Sequence, residues 1–301
     1  MPLSPDQLAD IEAARAAPRP TLRAVSEGME AHLYRAHPVL DHGFVRVIDY
    51  MGDDAAIVQA ARVSYGAGTR HVQNDEGLIR YLMRHWHSTP FEMCEVKLHV
   101  KLPVFVARQW IRHRTANVNE YSARYSIMDR EFYIPAPEHL AAQSTTNNQG
   151  RGEVLSGAES ARVLDILKSD AARSYDHYEQ MLSQDGQQGL ARELARMNLP
   201  ANIYTQWYWK VDLHNLFHFL RLRADPHAQY EIRVYAEAIA ACVRDWLPIA
   251  YAAFEDYRMG GATLSARAID CVRRMLKGEQ VTQETSGMSK GEWREFMGVL
   301  D

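Results

Sequence analysis

The run Arg112-His113-Arg114-Thr115-Ala116-Asn117-Val118-Asn119-Glu120-Tyr121-Ser122-Ala123-Arg124 gathers cations, amides and hydroxyls around one carboxylate, in a chain whose formal net charge is −4. A face built for solubility interleaves Asp and Glu with its cations. Here Arg, His and Arg stand side by side, followed by an Asn pair, a single Glu, a Ser and another Arg. Such a donor set suits an anion: a phosphate, a pyrophosphate, a carboxylate or an ionised base. Basic residues at a helix end also meet the carbonyl end of the helix dipole, but that accounts for one or two of them and not for the whole group. Ser122 is the obvious hydroxyl nucleophile, yet no general base stands with it, so binding and polarisation of substrate fit it better.

Two further segments carry chemical groups. His85-Trp86-His87-Ser88-Thr89-Pro90-Phe91-Glu92 offers two imidazoles that could ligate a metal but supplies no third ligand. It reads instead as a loop, held by Pro90, that presents imidazole and hydroxyl groups to a ligand; no metal is expected. In Leu220-Arg221-Leu222-Arg223-Ala224-Asp225-Pro226-His227-Ala228-Gln229, Asp225-Pro226 ends one helix and His227 opens the next, with Arg223 at the junction. Asp212, His214 and His218 lie just upstream and are ambiguous when taken singly.

The elements that must position these groups follow from periodicity. Cys94 to Leu102 alternates apolar residues with Glu95, Lys97, His99 and Lys101, a strand with one buried and one wet face. Pro103 suits the first turn of a helix from Val104 to His113, which delivers its C-terminal end into the cationic run. Asn202 to Leu213 alternates again, with Trp207 and Trp209 on the core face and Tyr204, Gln206, Tyr208, Lys210 and Asp212 opposite. A strand is expected over Gly43–Tyr50 and helices over residues 54–60, Asp75–Arg84, Ser160–Leu182, Leu190–Met197 and Asn215–Arg223. A long helical pattern from Ala228 to Tyr257 is broken at Pro248. Residues 141–157 read as an exposed loop. Three parts are expected: an N-terminal extension over 1–40, a main domain over 41–261, and a helical tail over 262–301 with a Gly/Ser/Thr-rich break near 278–289.

Bulk composition narrows the classes. At 301 residues, 47% hydrophobic and 24% charged, the chain has the make-up of an ordinary soluble globular protein. The acidic balance disfavours general nucleic-acid binding, and the alternating tryptophans read as core or subunit interface rather than a base-stacking platform. No run approaches a membrane span and no secretory signal is read, so a cytoplasmic location is expected. Cys94, Cys242 and Cys271 stand far apart, forming neither a disulfide framework nor a metal knuckle, and read as buried thiols.

Taken in order, these segments resemble the flavin-dependent thymidylate synthase family (ThyX). The family signature is Arg-His-Arg, seven residues, then Ser; here it is Arg112-His113-Arg114, then Thr115 to Tyr121, then Ser122. His87-x-Thr89-Pro90-Phe91-Glu92, the lead-in Val106-Ala107-Arg108-Gln109-Trp110, and Leu222-Arg223-Ala224-Asp225-x-His227-Ala228-Gln229 extend the likeness across residues 43–258. The chain departs from the pattern at Asn117, where Ser is common, and at Asp212-Leu213-His214 and His218.

The resemblance implies an α/β fold of the α+β kind, with a curved, mainly antiparallel sheet flanked by helices. It implies conversion of dUMP to dTMP, with 5,10-methylenetetrahydrofolate as carbon donor and FAD, reduced by NADPH, as hydride source. It also implies a homotetramer with active sites between subunits. FAD contacts carry over to Thr89, Arg112, His113, Arg114 and Glu120, and by position to Asp212, His214 and His218. The dUMP contacts carry over to Gln109, Arg112, the run Glu120, Tyr121, Ser122, Ala123 and Arg124, and to Arg196 and Arg223. Arg223 matches the residue that promotes ionisation at N3 of the uracil. His87 matches a histidine near flavin and folate. The chemistry agrees, because methylation at C5 needs electron density there and a guanidinium beside N3 and O4 stabilises the ionised ring that supplies it.

Overall fold

The computed structural model describes residues 5–18, 20–63, 75–145, 150–182 and 188–300. The alternation around residue 98 becomes β3 (Glu95–Pro103), the middle strand of a five-stranded antiparallel sheet. On one side lie β2 (Gly43–Met51) and then β1 (Ala36–Val39); on the other lie β7 (Tyr204–Asp212) and then β4 (Asn117–Glu120). Period-two patterning sets the register. Val45 pairs with Val100 and Val100 with Trp207, while Val47 pairs with Leu98 and Leu98 with Trp209, so apolar rows cross three strands on one face.

Helices α6 (Val104–Trp110), α9 (Leu213–Arg223) and α10 (Tyr230–Trp246) supply aromatic side chains to that face. Trp110 meets Trp207 and Trp209 edge-on at 5.7 and 5.2 Å and stacks on Phe219 at 4.6 Å. Tyr235 of α10 joins it at 6.0 Å. Each such ring removes about 150–250 Å² from water, so this cluster is the main stabiliser of the sheet's inner face. It also shows that Trp207 and Trp209, 2% and 1% exposed, are core and cannot stack on a nucleic-acid base.

Several elements differ from the sequence reading. Residues up to 40 are not a separate appendage: β1 is an edge strand, Met29 is fully buried in α2 (Glu27–Glu30), and Ser26 Oγ donates to the Trp246 carbonyl at 2.9 Å. The helix after β3 stops at Trp110 rather than His113, because the last turn tightens, with His113 N donating to the Trp110 carbonyl at 2.9 Å. Pro103 is the N-cap residue rather than the first helical one, and the free amides of Val104 and Phe105 donate to the carbonyls of Ile203 and Ala201. Within 141–157, β5 (Ala141–Gln143) and β6 (Arg151–Val154) form an antiparallel pair; residues 146–149 lie outside the described residues. The face of β3 expected to be wet is covered at Lys101, which is 7% exposed and ion-paired with Glu131. Tyr204 is buried on the same side, with its hydroxyl on Asp41 Oδ1.

The remaining helices of this part are α1 (Pro5–Ala16), α3 (Asp54–Val63), α4 (Asp75–Arg84), α5 (Thr89–Glu92), α7 (Gly157–Met181) and α8 (Arg192–Ala195). The chain divides into two compact units at Tyr251/Ala252, inside α11 (Pro248–Phe254). The second unit holds α12 (Ala266–Leu276), α13 (Gln283–Ser286) and α14 (Lys290–Leu300) around Cys271, Met288 and Phe296. A short helix therefore sits inside the Gly/Ser/Thr-rich break. Thr282 caps it through a reciprocal capping box, and Gly287 ends it at φ +70°.

Candidate active site

The path β3–α6–turn–β4 carries the cationic run. After the tight last turn of α6, Arg112, His113 and Arg114 occupy a turn, and Asn117 to Glu120 pair with Lys210 to Trp207 as the edge strand β4. Arg112 and Arg114 are exposed, and their side chains have no hydrogen-bond or ion-pair partner among the described residues; the same holds for Arg196. Guanidiniums left unpaired in an acidic chain are free to meet an anionic ligand.

The turn also places His113 beside α9. Arg223 Nε donates to His113 Nε2 at 3.1 Å, across 110 positions of sequence. Burial, the Arg223 cation and then His218 push the His113 imidazole down to about 4, so it is neutral at physiological pH and accepts from Arg223. Burial also lowers Arg223 from its ordinary value, but a guanidinium stays charged. His113 thus fixes one edge of the Arg223 fork and leaves its terminal nitrogens for a ligand.

A cavity of about 1170 Å³ opens beside this pair, with Gln109, Arg221, Arg223, Gln229 and Tyr230 on one wall and the β5–β6 pair on another. Gln109 Oε1 is buried there with no hydrogen-bond partner. A second cavity of about 530 Å³ is lined by Glu120, Tyr121, Ser122, Ala123, Arg196 and Thr205, among others. The two share no lining residue. Thr205 Oγ1 donates to Glu120 Oε1 at 2.9 Å, fixing that carboxylate. Ser122 Oγ accepts from the Arg124 amide at 3.4 Å and has no imidazole partner among the described residues. Arg124 reaches Glu193 at 3.4 Å.

The other expected residues line neither cavity. Thr89 begins α5 and is exposed, as is His87, which packs on Tyr81 at 6.0 Å. His85 packs on the same ring at 4.3 Å, and neither histidine joins a group of three metal-ligating side chains among the described residues. Asp212 is the N-cap of α9, its two oxygens accepting from the Asn215 amide at 2.9 Å and the Asn215 side chain at 2.8 Å. His214 is half-buried; His218, one turn on, is exposed and lies 5.8 Å from His113, ring to ring.

Sequence reasoning missed a charged support under the larger cavity. Glu231, 3% exposed, accepts from Arg151 Nη2 at 2.6 Å, from Tyr133 Oη at 3.0 Å and from Gln229 Nε2 at 2.8 Å. Burial alone would raise this carboxyl, but the Arg151 and Gln229 hydrogen bonds outweigh it and hold it below its ordinary range. It also missed Trp86, which has φ +62° and lies under the Arg221 guanidinium at 6.0 Å. A bulky residue in the left-handed region costs free energy and is retained where surroundings over-determine it. No local sequence signal marks either feature.

The donor chemistry suits the flavin dinucleotide that the resemblance implies. Unpaired Arg112 and Arg114 fit its pyrophosphate, while the orphaned Gln109 oxygen in a roomy cavity fits the N–H edge of a substrate heterocycle. Comparisons with known proteins agree. The family model described as "Thymidylate synthase complementing protein" matches residues 46–249. A protein of Ruegeria pomeroyi named flavin-dependent thymidylate synthase is 80% identical over 300 residues, which is 100% of this chain and 99% of that one. A protein of the same name from Gluconobacter oxydans is 63% identical over 301 residues, with the same coverage. The crystal structure of a UMP/dUMP methylase, PolB from Streptomyces cacaoi, bound with 5-Br UMP, superposes with a TM-score of 0.66 at 31% identity, over 73% of this chain and 97% of that one. Motif, fold and full-length similarity converge: the chain belongs to the flavin-dependent thymidylate synthase family.

Proposed function

We propose that this protein makes dTMP from dUMP, taking carbon from 5,10-methylenetetrahydrofolate and hydride from FAD reduced by NADPH, in the cytoplasm. The observation that carries the reading is the Arg223 fork, held by neutral His113 beside the unpaired Gln109 oxygen. Arg223 takes the N3/O4 edge of uracil, and its fixed charge favours the ionised ring in which C5 gains electron density. Gln109 supplies a neutral hydrogen-bonding partner to the same ring. Ser122, the amides of Ser122 and Ala123, and the guanidiniums of Arg112, Arg124 and Arg196 hold the phosphate, while Glu120, fixed by Thr205, orients the sugar.

FAD supplies the redox chemistry when bound, and the chain binds, orients and polarises around it. Thr89, Arg112, His113, Arg114 and Glu120, with Asp212, His214 and His218, would hold it, and His87 would lie near flavin and folate. One copy is not a complete site in this reading. Gln109 and Arg223 line one cavity, and Glu120 to Ala123 with Arg196 line another. Their union calls for a second copy of the chain, and a homotetramer with sites between subunits provides it. The open edge of β4, with Val118, Tyr121, Tyr125 and Ile127 exposed around it, supports such pairing.

The test is an anaerobic assay with dUMP, the folate and NADPH, each omitted in turn, and UMP offered in place of dUMP. The expected protein is yellow, bleaches with NADPH and forms dTMP only from the complete mixture. Arg223→Ala keeps its FAD and loses at least about a hundredfold in kcat/KM, the scale of one lost electrostatic contact to a developing charge. Colourless protein that takes up no FAD, or undiminished turnover in R223A, overturns the reading.

A further inference from the structure

Three metal-ligating side chains converge away from the site described above. His32 follows α2, His37 lies on β1 and Cys242 lies on α10. His32 Nδ1 is 3.2 Å from His37 Nε2, Cys242 Sγ is 3.7 Å from that same nitrogen, and all three atoms lie within 4.8 Å of one another.

Hydrogen bonding does not account for all of this. A neutral imidazole nitrogen carries either a proton or a lone pair and makes one ordinary hydrogen bond. His37 Nε2 faces two partners at once. A shared cation satisfies all three atoms together. For tetrahedral zinc, with Zn–N about 2.0 Å and Zn–S about 2.3 Å, the edges of the ligand tetrahedron are about 3.3 Å for N···N and about 3.5 Å for N···S. Two of the three observed edges, 3.2 and 3.7 Å, are close to those values, and the third, between His32 Nδ1 and Cys242 Sγ, lies within 4.8 Å and closes when a metal draws the ligands in.

The surroundings add a second argument. His32 Nε2 lies 2.8 Å from Asp245 Oδ2, which puts the proton on Nε2 and turns the Nδ1 lone pair toward His37 and Cys242. Metal-bound histidines characteristically hold a carboxylate on their other nitrogen. Cys242 is 2% exposed and the His32 side chain 12%, so the cluster is shielded from water. Two features oppose binding. Arg35 sits close enough to act on His37, and burial pushes the Cys242 thiol up to about 12, so a metal must displace that proton. A thiolate and the Asp245 carboxylate together offset the dication.

We propose that His32, His37 and Cys242 bind a divalent transition metal, zinc by ligand type, with Asp245 orienting His32 and one coordination position left to water. The metal fastens the segment before β2 onto α10. That seam is already tight, since a Cβ at Gly28 would lie 2.1 Å from the Asp245 carbonyl oxygen.

The test uses the full-length flavin-loaded protein, stripped with a chelator and refilled. Stoichiometric zinc per chain is expected by elemental analysis. Cobalt(II) is expected to give visible d–d bands and a thiolate charge-transfer band in a difference spectrum that cancels the flavin. Cys242→Ser loses the charge-transfer band, His37→Gln loses uptake, and Asp245→Asn weakens affinity about 10- to 100-fold. Zinc raises the melting temperature of the native protein and not of H37Q. Folded native protein that takes up neither metal and melts alike with and without zinc overturns the proposal, whether or not the variants fold. Uptake unchanged in both H37Q and C242S overturns it as well.

Discussion

Replacing Arg223 by Gln takes a fixed cation away from a site 3.1 Å from His113 Nε2 and leaves a side chain of similar reach. In the native protein His113 stands at about 4 against an ordinary 6.5, with burial the larger cause and Arg223 the next. That depression corresponds to about 3.4 kcal/mol at about 1.36 kcal/mol per pKa unit. Two unit charges about 4 Å apart interact by about 1 kcal/mol in water and about 4 kcal/mol at an effective dielectric constant of 20. Because burial takes the larger part of the total, Arg223 contributes near the low end, about 1–1.5 kcal/mol. The substitution therefore raises His113 part of the way back toward its ordinary value.

The sign follows from proton linkage. A histidine whose folded pKa is depressed binds fewer protons folded than unfolded between the two values. Its full stability is present above about 6.5 and is lost as pH falls toward about 4. By pH 4.5 the native protein loses about 2–3 kcal/mol from this group, reduced somewhat by solvent screening, and R223Q loses less. Urea unfolding at fixed protein concentration, from pH 7.5 to 4.5, reads the difference, and carboxylates that titrate alike in both proteins cancel. The expected result is a shallower acid loss in R223Q, by about 0.5 kcal/mol at pH 4.5. Parallel curves, or a steeper loss in R223Q, would refute the claim that the Arg223 cation helps hold His113 below its ordinary value.

Thr205→Val keeps shape but removes the donor on Glu120 Oε1; KM for dUMP is expected to rise about fivefold, the worth of about 1 kcal/mol, with kcat little changed, and an unaltered KM counts against Glu120 as a substrate contact. Arg151→Ala strands the buried Glu231 carboxylate. It should cost about 2–4 kcal/mol in denaturant unfolding at pH 7, since Arg151 is itself part-exposed, and native-like stability would show that Tyr133 and Gln229 suffice. Glu231 is held below its ordinary value, so its stabilisation is present above about pH 4.5 and is lost as pH falls through the folded value; R151A should flatten that acid limb. Gly28→Ala forces a methyl against the α10 backbone. A loss of about 1–3 kcal/mol is expected from thermal or urea unfolding, and none would mean that α2 can lift away freely.

What could be read from the sequence tracks whether a residue's environment is local or assembled. The strands β3 and β7 were readable because each buries one face, and burial of alternate residues leaves a period-two signature. Strand β4 left none: all four of its residues are exposed, so its pairing with β7 imposes no apolar alternation. The same holds for β6, equally exposed, in a polar run that read as loop. The residue types of the cationic motif suggest an anion site, but the contact between His113 and Arg223 leaves no sequence signal, since they meet only when α9 returns to the end of α6. Glu231 and Arg151 stand 80 positions apart, and each alone reads as surface charge; only folding puts the carboxylate at 3% exposure. The three cysteines also read as inert because none has a ligand-spaced neighbour, yet Cys242 comes within 3.7 Å of a histidine 205 positions away. Motif spacing finds sites whose groups share one turn or strand. A site assembled across the sheet, α9 and α10 is invisible to spacing, because the quantity that makes its groups reactive is burial, and burial belongs to the tertiary structure.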